Sequence, residues 1–88
     1  MRKPMVIAVT GAGGFVGQAV VAHLARRNYC IRAFTRGDPP EGCENSPRCT
    51  WLRVDVTDRT ALRAATEGVD MLIHLAARKN DEKDSEQV

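Results

Sequence analysis

The chain has no apolar run approaching the roughly 20 residues that a membrane-spanning helix needs. Its apolar stretches are a few residues long, as in Met5-Val6-Ile7-Ala8-Val9. Met1-Arg2-Lys3-Pro4 carries positive charge, but the stretch after it is too short for a signal-peptide core and leads straight into glycines. No membrane partner is therefore expected. The three cysteines, Cys30, Cys43 and Cys49, are odd in number and form no C-x-x-C pair. That excludes a disulfide scaffold and a paired-ligand zinc site, so no metal is expected; free structural thiols in a reducing cytoplasm fit instead. Charge of either sign is in little excess: 13 Lys and Arg against 11 Asp and Glu give a net +2. The basic residues are scattered and no recognition motif accompanies them, which argues against a nucleic-acid partner. Aromatics make up only 5% of the chain, with a single tyrosine, Tyr29.

At 88 residues, 43% hydrophobic and 27% charged, the chain has room for one small globular domain. Its organising stretch is Thr10-Gly-Ala-Gly-Gly-Phe-Val-Gly17. Before it, residues 5–10 have the β-branched, apolar character of a buried strand. After it, residues 15–27 have a helical pattern with Val16, Val20, Val21 and Leu24 on one face. Arg26 and Arg27 suit the negative end of that helix, and Asn28 the left-handed position that follows it. A strand, a glycine turn and a helix in this order form an anion cradle, because the helix start presents unpaired N–H groups and the positive end of its dipole. Gly11 is expected to turn the chain sharply out of the strand. Gly14 is expected to take a positive φ and let a phosphate approach the backbone, so that Gly14→Val would block it. Gly17 is expected to let helix and strand pack closely.

Further along, residues 30–35 read as a second strand. Residues 36–47 hold three prolines and two glycines, so an irregular connection is expected where a crossover helix would be usual. Residues 50–54 read as a third strand, 59–66 as a short helix capped by Thr57 or Asp58 and closed by Gly68, and 69–75 as a fourth strand. The segment 78–88 is nearly all charged or polar and reads as a tail or the start of another helix. The order β-α-β-β-α-β predicts an open parallel α/β sheet, and right-handed crossovers place its strands in the order 3-2-1-4. Strand 4 would then be an apolar edge, Met71-Leu72-Ile73, open to self-association.

The glycines do not spell G-x-G-x-x-G, because Val16 stands at its third glycine. Nor do they spell a Walker loop, because Gln18 follows Gly17. T-G-x-x-G-x-x-G after a first strand resembles the extended and atypical short-chain dehydrogenase/reductases, which include the NAD-dependent epimerase/dehydratases. The other main branch carries T-G-x-x-x-G-x-G, which Phe15 breaks. The resemblance implies an incomplete Rossmann-type doubly wound sheet, with residues 1–77 the N-terminal part of a dinucleotide-binding domain. It places the cofactor pyrophosphate against Gly11, Gly14, Phe15, Val16 and Gly17. In NAD-preferring members an acidic residue ends strand 2. Here Thr35 stands there and Arg36 follows, which favours NADP, with NAD as the alternative. Asp38, close by, could reverse that preference. Asp55-Val56 resembles the family's adenine-contacting pair, and His74-Leu75-Ala76-Ala77 its H-x-A-A segment, with Leu75, Ala76 and Ala77 beside the ribose and pyrophosphate. His74 itself is expected to be a packed core residue.

The family's proton-transfer chemistry uses a tyrosine with a lysine four residues on. Tyr29 is followed by Cys30, Ile31, Arg32 and Ala33, so no catalytic residue is assigned. Three readings follow. The chain is the cofactor-binding N-terminal portion of an epimerase, dehydratase or reductase acting on a nucleotide sugar or similar carbonyl compound, inactive alone. It is a non-catalytic, dinucleotide-binding redox sensor of the atypical type. Or it is a degenerate product that does not fold.

Overall fold

A computed structural model describes residues 4–75, so Ala76, Ala77 and the polar segment 78–88 lie outside the described residues. Strands β1 (Met5–Thr10), β2 (Tyr29–Thr35), β3 (Cys49–Arg53) and β4 (Met71–His74) form one parallel sheet in the order β3-β2-β1-β4. The β1–β2 connection carries helix α1 (Phe15–Ala25) and the β3–β4 connection carries α2 (Arg59–Ala65). The first crossover steps one way across the sheet and the second steps back. Two right-handed crossovers in opposite directions place their helices on opposite faces.

The packing follows the two-residue period of the strands. Ile7, Val9, Ile31, Ala33 and Trp51 point to one face and are buried with Val21 of α1, supported by Val20 and Leu24. Ala8, Phe34 and Val54 are buried on the other, under Leu62 and Ala65 of α2. Arg32 shares that second face. Its guanidinium donates to the Ala65 carbonyl at 2.9 Å and the Glu67 carbonyl at 2.6 Å, placing a cation on the negative end of α2. The start of α2 is capped as expected, with the Asp58 carboxylate accepting from the Ala61 N–H at 3.1 Å, and Gly68 turns the chain away after it with φ 79°. The connection from 36 to 48 contains no helix, as its prolines require; a bridge between Ser46 and Cys49 leads into β3. The three cysteines are free thiols.

Several boundaries differ from the sequence reading. β2 and β3 each start one residue earlier, and β4 is confined to four residues, preceded by Asp70, whose carboxylate accepts from the Val6 N–H at 2.8 Å. Helix α1 ends at Ala25, and Asn28 is not left-handed: positive φ occurs only at Gly11, Gly42 and Gly68 among the described residues. Arg27 removes the need for that turn. Its backbone N–H donates to the Leu24 carbonyl at 3.0 Å and its guanidinium to the His23 carbonyl at 3.1 Å, so these two terminal acceptors are satisfied without it. Val16 is 60% exposed rather than part of the buried stripe, which begins at Gly17 and Val21. The first turn of α1 stands beyond the carboxyl ends of the strands, where no sheet lies beneath it. At the other side, β4 ends the sheet among the described residues, with Met71 and Leu72 about half exposed.

Candidate nucleotide-binding site

The carboxyl ends of β1 and β2 and the start of α1 meet at the glycine turn. Gly11 makes the turn possible with φ 67°, a conformation that side chains disfavour. The Ala12 N–H donates to the Phe34 carbonyl at 3.0 Å and ties the turn to β2. Gly17 then closes the arrangement. A Cβ there would lie 2.1 Å from the Gly11 carbonyl oxygen and 2.7 Å from Ala12 Cα, so only hydrogen fits. The contact is with the turn backbone rather than with the strand itself. Gly14 differs from expectation: its φ is −78° and ψ 175°, ordinary extended backbone, and a Cβ there would be 3.6 Å from the Gly11 oxygen. The positive φ expected at Gly14 belongs to Gly11.

Gly14 is the N-cap of α1 and has no side chain with which to cap it; no acidic residue stands in the first turn. The first N–H groups of the helix, beginning with those of Phe15 and Val16, therefore face outward as donors. Phe15 at 92% exposure leaves the helix tip open to solvent. Positive dipole, free N–H groups and no local carboxylate are features that suit an anion.

Beside the tip lies a cleft of about 450 Å³. Gly11, Gly13 and Gly14 form one wall, residues 35–38 with Pro40 another, and Phe34, Val54, Val56 and Leu75 the apolar remainder. The structure thus brings together Gly11, Gly14, Thr35, Arg36, Val56 and Leu75 from the expected set. Phe15 and Val16 stand on the helix tip next to the cleft, Gly17 faces the Gly11 carbonyl, and Asp55 lies between two lining residues without lining the cleft itself. Gly13, Phe34, Gly37, Pro40 and Val54 were not anticipated. Gly13 was visible as the extra glycine of the motif, and its neighbours are the Thr35 methyl at 3.3 Å and Pro40 at 3.8 Å from where its Cβ would be. A larger groove of about 570 Å³ lies between α2 and β4, away from the turn and its N–H donors.

The polar groups on the rim are unequally engaged. Thr35 is 5% exposed and its hydroxyl donates to the Gly37 carbonyl. The Asp38 carboxylate is paired with the Arg53 guanidinium. The Asp55 carboxylate accepts from the Thr57 hydroxyl at 2.7 Å and the Thr57 N–H at 2.9 Å. Those two bonds, with a smaller attraction from Arg36, hold its acid dissociation below the usual aspartate range. Arg36 is exposed and makes no hydrogen bond or ion pair of its own among the described residues. His74 is exposed, not a core residue as expected. It sits on the end strand, and its Nδ1 lies 2.8 Å from the Thr10 Oγ1, which also accepts the Leu75 N–H at 2.9 Å. Tyr29 begins β2 and so stands at the end of the sheet opposite the cleft.

A model of the NAD dependent epimerase/dehydratase family matches residues 7–87. The chain belongs to that family. It is 37% identical over 71 residues to a 3 beta-hydroxysteroid dehydrogenase/Delta 5-->4-isomerase of Mycobacterium tuberculosis, covering 81% of this chain and 19% of the relative. It is 43% identical over 79 residues to an NAD-dependent glucose-6-phosphate dehydrogenase of Haloferax volcanii, covering 86% of this chain and 29% of that protein. Its fold matches a uronate dehydrogenase of Agrobacterium tumefaciens crystallised with NAD, at a TM-score of 0.74 and 24% identity over 85% of this chain and 27% of that one. This family member thus spans less than a third of the length of each of these relatives. The fold is the Rossmann type expected from the strand order.

The two glycines give opposite expectations. Gly17→Ala gains up to about 1 kcal/mol of helix propensity, yet the methyl must displace backbone, and overpacking of this kind costs about 1–3 kcal/mol. A net loss of several degrees in melting temperature is expected. Gly14→Ser has room for its Cβ and supplies a preferred cap, so its melting temperature should hold or rise. Calorimetric melts of both variants check this; a Gly17→Ala chain that melts no lower than the parent contradicts it.

The Asp55 carboxyl should titrate below about 3.9, the unperturbed value. Because its acidity is depressed in the fold, its contribution to stability is fully present above that unperturbed value and is lost as the pH falls through the lower folded one. Thr57→Val should move the titration upward. Carboxyl-carbon NMR across acidic pH reads both, and a midpoint at or above the ordinary value in the parent contradicts the bonding described.

Proposed function

We propose that this chain holds the adenosine and pyrophosphate of a nicotinamide dinucleotide, NADP in preference to NAD. On this reading residues 1–77 are the N-terminal part of the cofactor domain of a cytoplasmic epimerase, dehydratase or reductase. The observation that carries it is the uncapped start of α1, set over a glycine turn and opening into a cleft with Arg36 on its rim. The groups present fit the ligand. The N–H donors of Phe15 and Val16 suit the pyrophosphate, Gly13 and Gly14 put no side chain in its approach, and Val54 and Val56 offer an apolar seat for adenine. Arg36 supplies a guanidinium for a ribose phosphate where no side-chain carboxylate ends β2 to accept two ribose hydroxyls. When bound, the nicotinamide would exchange hydride with a substrate carbon.

The relatives' names concern a hydroxysteroid, glucose 6-phosphate and a uronate. They differ among themselves, and the substrate proposed for the whole protein is a nucleotide sugar or similar carbonyl compound. Tyr29 stands at the far end of the sheet from the cleft and lacks a lysine four residues on, so the chain by itself is read as a binder without turnover. A non-catalytic, dinucleotide-binding sensor is the second reading, favoured by the same placement of Tyr29.

An exposed apolar edge at Met71 and Leu72 would pair with a second chain. Light scattering should then find a mass above the 9.7 kDa of one chain, and a strictly monomeric protein at high concentration rejects this.

For the cofactor, one charge-assisted bond on an exposed rim, weakened by solvent and salt, supports a preference of roughly tenfold for NADP, about 1.4 kcal/mol. Arg36→Ala should erase most of it and leave NAD affinity nearly unchanged. Isothermal titration with both cofactors at moderate salt checks this. Tighter binding of NAD by the parent chain rejects the assignment of Arg36.

A further inference from the structure

The rim of the cleft carries one arginine and one aspartate, and they are not equally engaged. Arg36 and Asp38 both line the cleft, two residues apart on one turn. Asp38 is the one carboxylate among the described lining residues. Its partner is Arg53, the last residue of β3, on the strand next to the one from which the turn leaves. The turn is therefore fastened at two points: the Thr35 hydroxyl on the Gly37 carbonyl, and the Asp38 carboxylate on Arg53. Arg36 lies between them with no hydrogen bond of its own among the described residues.

We propose that Arg53 is a positioning residue for cofactor selection, which by holding Asp38 keeps that carboxylate off Arg36 and leaves Arg36 to receive a phosphate on the adenosine ribose. The inference rests on the preceding assignment of Arg36 and adds the residues that make it available. No packing fixes Asp38 in place: its side chain is 87% exposed and Arg53's is 64% exposed. A carboxylate two residues from Arg36 in the same cleft, once released, has two courses. It pairs with the Arg36 guanidinium and competes with the phosphate, or it remains free and repels a dianion within a Debye length. Both lower affinity for a ribose phosphate and leave a ribose with free hydroxyls nearly unaffected. Arg53 thus acts on selection through Asp38, without touching the ligand. Its exposure also means that replacing it removes nothing from the core.

The probes are adenosine 2′,5′-bisphosphate and adenosine 5′-monophosphate, which need only the adenosine half of the site and differ only in the ribose phosphate. Amide chemical shifts of the labelled chain at low salt read even millimolar affinities and report folding in the same spectrum. The parent should favour the bisphosphate by roughly tenfold. Arg53→Ala should cut that ratio by about threefold or more, Arg53→Lys should keep most of it, and Asp38→Ala should leave it unchanged or higher. The deciding variant is the double replacement Arg53→Ala with Asp38→Ala, which should restore the parent ratio, because no carboxylate remains to be released. A parent preference that survives Arg53→Ala overturns the inference and leaves Arg36 standing. A loss in Arg53→Ala that the double replacement fails to restore also overturns it, since Arg53 would then meet the phosphate itself. A parent with no preference removes the Arg36 assignment and this inference together, as does the absence of any shift at the glycine turn with millimolar nucleotide.

Discussion

The site depends on a side chain that is not there. With hydrogen at Gly17, the first turn of α1 comes to within contact of the Gly11 carbonyl and the Ala12 backbone, where a methyl would stand 2.1 Å from the oxygen. Two consequences follow from that approach. The helix is held close against the sheet, where Val21, Val20 and Leu24 pack on the face formed by Ile7, Val9 and Ile31. The helix start is also held against the turn, and its unpaired N–H groups share a cleft with whatever the end of β2 carries. A tight backbone contact therefore couples core packing to the placement of the anion site.

On the proposed reading, the rim adds charge selection to this geometry. Two carboxylates near the cleft already have donors: Asp38 has Arg53, and Asp55 has the hydroxyl and N–H of Thr57. Arg36 is the cation of this set left facing outward without a bonded partner among the described residues. All of these groups are exposed, so the pairs contribute little to folding stability. On the proposed reading, their weight lies in deciding which ligand charge meets which protein charge.

Much of this was legible in the sequence. The apolar runs at 5–9 and 71–73, the glycine turn between a strand and a helix, and the prolines of 36–47 were enough for the parallel sheet, its 3-2-1-4 order and the missing crossover helix. What was not legible depended on local bonds that no pattern encodes. Asn28 looks like a left-handed terminator until Arg27 is seen to satisfy the Leu24 and His23 carbonyls. His74 looks buried within an apolar run, yet it stands on an end strand and turns to Thr10. Gly11 and Gly14 are equivalent in a spacing motif; only the dihedral angles assign the strained position to the first. The Asp38–Arg53 pair joins residues 15 apart across a connection whose path the sequence left open.

On the proposed reading, phosphate groups sit on the start of α1 with the adenosine lying toward Arg36. A crystal structure of the chain grown with NADP tests it most directly. The account requires pyrophosphate oxygens within hydrogen-bond distance of the Phe15 and Val16 N–H groups, with the ribose phosphate against the Arg36 guanidinium. A dinucleotide lodged in the groove between α2 and β4, or one whose phosphates leave the α1 start empty, would contradict it.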